Sequence, residues 1–193
     1  MIIGLTGGIG SGKTTVSKIF ETMGCPVYNS DEKAKELYFN PQIKPLIIGL
    51  LGQEAYLSDS QINKDYISKK VFSNPELLEL LNQIIHPAVK KDFIDFKNKF
   101  SPETLIIKET ALLFEAGIQK DLDYSILVTA PNDIKINRVM RRSNISKEEI
   151  EKRMNAQWAD DQKKQLADEI IINDESKPLI PQVVSIINKL NNA

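Results

Sequence analysis

The sequence predicts an α/β fold in which a five-stranded parallel sheet is flanked by helices, with an inserted helical substrate subdomain and a helical lid. Three observations carry this prediction. Short apolar runs alternate with helical patterns, as in sheets covered on both faces. A glycine-rich turn ending in Lys13-Thr14 separates the first apolar run from the first helical pattern. An interval of roughly seventy residues divides the second apolar run from the third, too long for one crossover helix.

The first strand is read from Ile2, Ile3 and Leu5. The first helix is read from Val16, Ile19, Phe20 and Met23, spaced i, i+3, i+4, i+7, with Gly24 to close it. Between them, Gly7 to Thr14 fits GxxxxGK[ST], the P-loop pattern of nucleotide-binding proteins. Gly7, Gly8, Gly10 and Gly12 suit backbone that must approach an anion closely. In this pattern successive N–H groups form a nest around phosphates, the lysine reaches the β and γ oxygens, and the hydroxyl ligates Mg²⁺. The helix that follows points its positive end at the same anion.

Further strands are read at Pro26 to Ser30, Leu105 to Lys108, Tyr124 to Thr129 and Glu169 to Ile172. Ligands of parallel sheets bind at the carboxyl ends of the strands, so residues just after each strand are the candidates. In the long interval, Asn74-Pro75-Glu76 reads as an N-cap with proline in the first turn, followed by Leu77, Leu78, Leu81, Ile84 and Ile85. Pro87 is expected to end that helix, with Val89, Phe93, Phe96 and Phe100 on a new one. Gly49 to Asp59 reads as a less regular loop.

Composition narrows the function. The chain has 193 residues, net charge −1 and a pI near 6.0, which leaves no basic face for nucleic acid. One cysteine, Cys25, and one histidine, His86, exclude a disulfide framework and a Cys/His zinc site. No signal peptide or membrane-length apolar run is visible, so a cytoplasmic protein is expected.

All four arginines, Arg138, Arg141, Arg142 and Arg153, lie between the fourth and fifth strands. Arginine forks bind phosphate oxygens bidentately, so the cluster reads either as a phosphate-facing lid or as a solvated face paired with Glu148, Glu149 and Glu151. Ser146-Lys147-Glu148-Glu149 carries a capping signature and starts a helix with a thin apolar face, as a mobile lid would. Asp31, directly after the second strand, is either a general base for an acceptor hydroxyl or the N-cap of a helix over Glu32 to Tyr38. Glu109, ending the third strand, is either a second acid of the site or a surface carboxylate. His86, before Pro87, reads on its own as a packing or capping residue.

Taken together, "GLTGGIGSGKTTV", Asp31 ending "VYNSD", "IIHPAV" (84–89), "LLFEAG" (112–117), "RVMRR" (138–142) and "QLADEIIIN" (165–173) resemble the dephospho-coenzyme A kinase family over nearly the whole chain. The resemblance implies an ATP-dependent kinase that phosphorylates the ribose 3′-hydroxyl of dephospho-coenzyme A. It implies ATP on Gly8, Ile9, Gly10, Ser11, Gly12, Lys13, Thr14 and Thr15, with Mg²⁺ at Thr14 and Asn173 beside the adenine. Asp31 would be the general base, with Lys13, Arg138 and Arg142 assisting transfer. His86, Glu109 and Leu113 would join Asp31 in acceptor binding. Asn29 stands where the family has the first acid of Asp-x-Asp, Ala111 where it usually has proline, and Asp174 where glycine is common.

The expected partition is a nucleotide-binding core of residues 1–31, 98–137 and 165–193, an acceptor subdomain of 32–97, and a lid of 138–164. A monomer or small homo-oligomer is expected, with no nucleic-acid or membrane partner. Two other readings share the P-loop: a kinase for another small acceptor such as a nucleoside monophosphate, and a nucleotide-dependent switch. Against the switch, "NKD" at 63–65 has the wrong spacing and place for guanine recognition.

Overall fold

The computed structural model describes residues 1–143 and 145–192. Its chain divides into two compact units, residues 1–29 with 101–193, and residues 30–100. In chain order the elements are β1 (Ile2–Thr6), α1 (Lys13–Thr22), β2 (Val27–Asn29), α2 (Ser30–Leu37), α3 (Lys44–Leu51), β3 (Tyr56–Ser58), β4 (Gln61–Ile62), α4 (Lys64–Phe72) and α5 (Pro75–Lys97). They continue with β5 (Ile106–Glu109), β6 (Tyr124–Thr129), α6 (Asn132–Arg142), α7 (Lys147–Asn155), α8 (Asp160–Lys164), β7 (Glu169–Ile172) and α9 (Leu179–Asn191).

In the first unit the predicted five-stranded parallel sheet runs in the order β2-β5-β1-β6-β7. Side chains alternate across a strand, so Ile3, Leu5, Ile107, Ile126, Val128 and Ile171 share one face. That face is buried under Val16 and Phe20 of α1 and Val183, Ile186 and Leu190 of α9. Because β1 is central, with β5 on one side and β6 on the other, its carboxyl end is the switch point where such sheets bind ligands. Register places Leu5 beside Glu109, and Glu109 beside Asn29, at that same end.

The second unit buries Ile47, Leu51, Ala55, Ile67, Leu81 and Ile85 among its helices. Asn74 caps α5 by accepting from the Leu77 N–H at 3.1 Å, with Pro75 in the first turn, as predicted. The expected break at Pro87 does not occur: α5 runs unbroken through it. Proline forfeits a hydrogen bond and crowds the preceding turn. Leu77, Leu81, Ile84, Ile85 and Val89 carry one apolar stripe across the proline, and burying that stripe outweighs the local cost. The expected loop at Gly49 to Asp59 is also more ordered. Gly49 to Leu51 completes α3, and Tyr56–Ser58 pairs antiparallel with Gln61–Ile62. The Tyr56 hydroxyl anchors the hairpin by donating to the Tyr38 carbonyl at 2.7 Å. Among the described residues, no helix is long and apolar enough to cross a membrane.

Candidate active site

The glycine-rich loop spans from the end of β1 to the first turn of α1, as its flanks predicted. Lys13 Nζ donates to the Gly7 carbonyl at 2.7 Å, so the ammonium folds back across the loop. The Ser11 N–H bonds the Gly8 carbonyl at 3.1 Å, and the Thr15 and Val16 N–H groups bond the Gly12 carbonyl. Thr14 and Thr15 lie exposed in the first turn of α1, where helix N–H groups have no partner four residues earlier.

Two of the glycines answer to protein neighbours as well as to any anion. Gly10 has φ +80° and lies against the backbone of Lys135, where a Cβ would overlap the carbonyl. Gly12, at φ +94°, leaves room for the Asn173 carboxamide in the same way. Both positions exclude an L side chain on conformational and on steric grounds.

Asn173, just beyond β7, ties three parts of this unit together. Its Nδ2 donates to the Ser11 carbonyl at 2.8 Å. Arg138 Nη2, from α6, donates to the Asn173 carbonyl at 3.0 Å and to its Oδ1 at 3.2 Å, and pairs with Glu175 at 3.2 Å. The other terminal nitrogen, Nη1, is buried with no protein acceptor. A guanidinium held from one side with a donor to spare suits an oxygen- or π-bearing ligand. Arg142 stands one turn on and exposed, while Arg153 pairs with Glu149 at 2.7 Å on α7. Ser146 caps α7 by accepting from the Glu149 N–H at 3.2 Å.

Glu109 is buried at the end of β5, which places it in the sheet rather than on the surface. Leu113 is wholly buried and lies against Gly4 of β1. Asp31 stands exposed inside the first turn of α2, one residue past the helix start, so it is not the N-cap considered from the sequence. His86 is exposed on α5.

Several polar residues of the site carried no signal in the sequence. The Asp160 carboxylate accepts from both Thr129 and Lys135, and the lysine side chain is only 5% exposed. Gln157 Oε1 accepts from the Ile9 N–H of the glycine loop at 3.0 Å. Glu115 accepts from the Trp158 N–H at 3.0 Å and pairs with Lys163. Glu115 falls in the singled-out "LLFEAG" and Thr129 ends the strand read at Tyr124 to Thr129; the rest belong to no periodic pattern. Beside them a cavity of about 790 Å³ opens, lined among others by Gly8, Ile9, Lys135, Gln157, Trp158 and Asp174. It joins the glycine loop to the end of β7, a volume in the range of ligand pockets.

The sequence profile of the family described as Dephospho-CoA kinase matches residues 1–178. A dephospho-CoA kinase of Bacteroides fragilis is 39% identical over 186 residues, covering 96% of this chain and 90% of that protein. One from Porphyromonas gingivalis is 40% identical over 187 residues, covering 96% and 92%. Among solved structures, TT1252 from Thermus thermophilus superposes with a TM-score of 0.88 at 30% identity, covering 98% of this chain and 96% of that one.

Proposed function

The chain belongs to the dephospho-coenzyme A kinase family, and from that premise we propose how its residues divide the work of moving the γ-phosphoryl group of ATP onto dephospho-coenzyme A. The reaction gives coenzyme A and ADP, with the ribose 3′-hydroxyl as nucleophile. The observation that carries the assignment of roles is the glycine loop, set between β1 and α1 with Lys13 folded across it and Asn173 and Arg138 braced against it.

Backbone N–H groups of the glycine loop and of the first turn of α1, other than the Ile9 amide held by Gln157, bind the ATP phosphates, with Lys13 exchanging the Gly7 carbonyl for β and γ oxygens. Asn173 and Arg138 border the adenine end. Arg142 neutralises charge on the migrating phosphoryl group. Asp31 accepts the proton of the 3′-hydroxyl, leaving the oxygen free to attack phosphorus as the ADP oxygen departs. His86 and Glu109 hold the acceptor.

The Thr14 hydroxyl is a hard oxygen donor in an exposed helix turn, which suits Mg²⁺. A Mg²⁺ ion held by the Thr14 hydroxyl would supply positive charge to offset that of the transferring phosphates.

Incubation with ATP·Mg²⁺ and dephospho-coenzyme A, beside a panel of nucleoside monophosphates, tests the reading. The expected product has gained one phosphoryl group, on the ribose 3′-oxygen by mass and phosphorus NMR. Phosphorylation of a monophosphate in preference to dephospho-coenzyme A would overturn the acceptor assignment and leave the loop's role standing.

A further inference from the structure

The residues linking α7 to α8 reach back to the phosphate loop. Gln157 Oε1 takes the Ile9 N–H at 3.0 Å, and Ile9 is the third residue of the loop motif. Asp160 holds Lys135 and Thr129, and Trp158 and Lys163 hold Glu115. These anchors fix the segment to β6, to α6 and to the residues following β5. A Cβ placed on Gly8 would meet Asp160 Oδ1, Lys135 Nζ and Gln157 Oε1 at 3.5, 3.6 and 3.7 Å. Three polar side chains thus converge on the loop at Gly8.

A loop that binds phosphate through backbone N–H groups works best when those groups are aimed before the ligand arrives. The inner turn is braced by Asn173 and by α1, but the outer turn at Gly8 and Ile9 consists of residues with little side-chain anchorage of their own. We infer that Gln157 is a positioning residue for ATP binding: carried by a segment that the Asp160–Lys135 pair anchors to α6, it clamps the Ile9 amide and so preorganises the outer turn of the phosphate loop. This rests on the proposal that the loop receives the ATP phosphates. It assigns the residues after α7 to a fixed support, so that any lid movement is confined to the part before Gln157.

Gln157→Met removes the acceptor while nearly keeping the volume. In the full-length enzyme without nucleotide, hydrogen exchange at the Ile9 amide should accelerate tenfold or more. The KM for ATP should rise about three- to tenfold, the scale of one hydrogen bond, while the KM for dephospho-coenzyme A stays within twofold. Unchanged Ile9 exchange, or equal movement of both KM values, would overturn the clamp. Lys13→Ala is measured in parallel. If it leaves the KM for ATP unaltered, the phosphate-loop proposal fails, and Ile9 exchange still decides the clamp by itself.

Discussion

Lys163, which has no exposed side-chain surface, places its Nζ 2.7 Å from Glu115 Oε1. The contact is an ion pair without the alignment of a hydrogen bond, and Glu115 Oε2 is likewise buried without a protein partner. An ammonium in such a place requires its carboxylate, because removing one partner leaves an uncompensated buried charge. The pair also pins α8 to the residues that follow β5.

Glu115→Gln should therefore destabilise the protein by about 3 kcal/mol or more. Combining it with Lys163→Met should recover much of that loss, since the double variant carries no buried charge. Urea unfolding checks both, as a lower midpoint at unchanged slope.

Asp31→Asn keeps size and polarity but loses the carboxylate proposed as the general base. A fall in kcat of about 10² to 10⁴ with little change in the KM for ATP is expected from steady-state kinetics. A variant with near wild-type kcat would remove Asp31 from the chemistry.

Asn173→Ala removes the donor to Ser11 and one of the acceptors of Arg138. Because one of these bonds involves a charged group, the KM for ATP should rise roughly ten- to a hundredfold. The KM for dephospho-coenzyme A should hold. Equal shifts in both would mean that Asn173 supports the fold as a whole instead of the nucleotide end.

Burial pushes the Tyr56 phenol up from 10.0 to about 12, with Tyr38 adding a smaller upward push. The unfolded chain releases this proton first, so the stabilisation is complete below pH 10 and is lost as pH rises from 10 to about 12. Tyr56→Phe should flatten the fall in stability over that window while costing the hydrogen bond to the Tyr38 carbonyl. Thermal melts of both proteins across the alkaline range report the difference.

Local pattern by itself determined a good deal of this protein. The strand–loop–helix around Gly7 to Thr14, the caps at Asn74 and Ser146, and the five buried strands were legible because each is written in neighbouring residues. A cap needs its partner three residues on, and a strand needs only its own apolar run. The family was legible in the same way, from short motifs in fixed order.

Tertiary structure alone decided the rest. Pro87 reads locally as a helix end, yet the apolar stripe from Leu77 to Val89 is buried on both sides of it, and packing overrides the local preference. The Tyr56 hairpin is held by a hydroxyl reaching Tyr38. Around the phosphate loop, Gln157 meets Ile9 and Asn173 meets Ser11 across separations of 148 and 162 residues. Such pairs have no period and no fixed spacing, because a hydrogen bond depends on where folding brings two polar atoms and not on the chain between them.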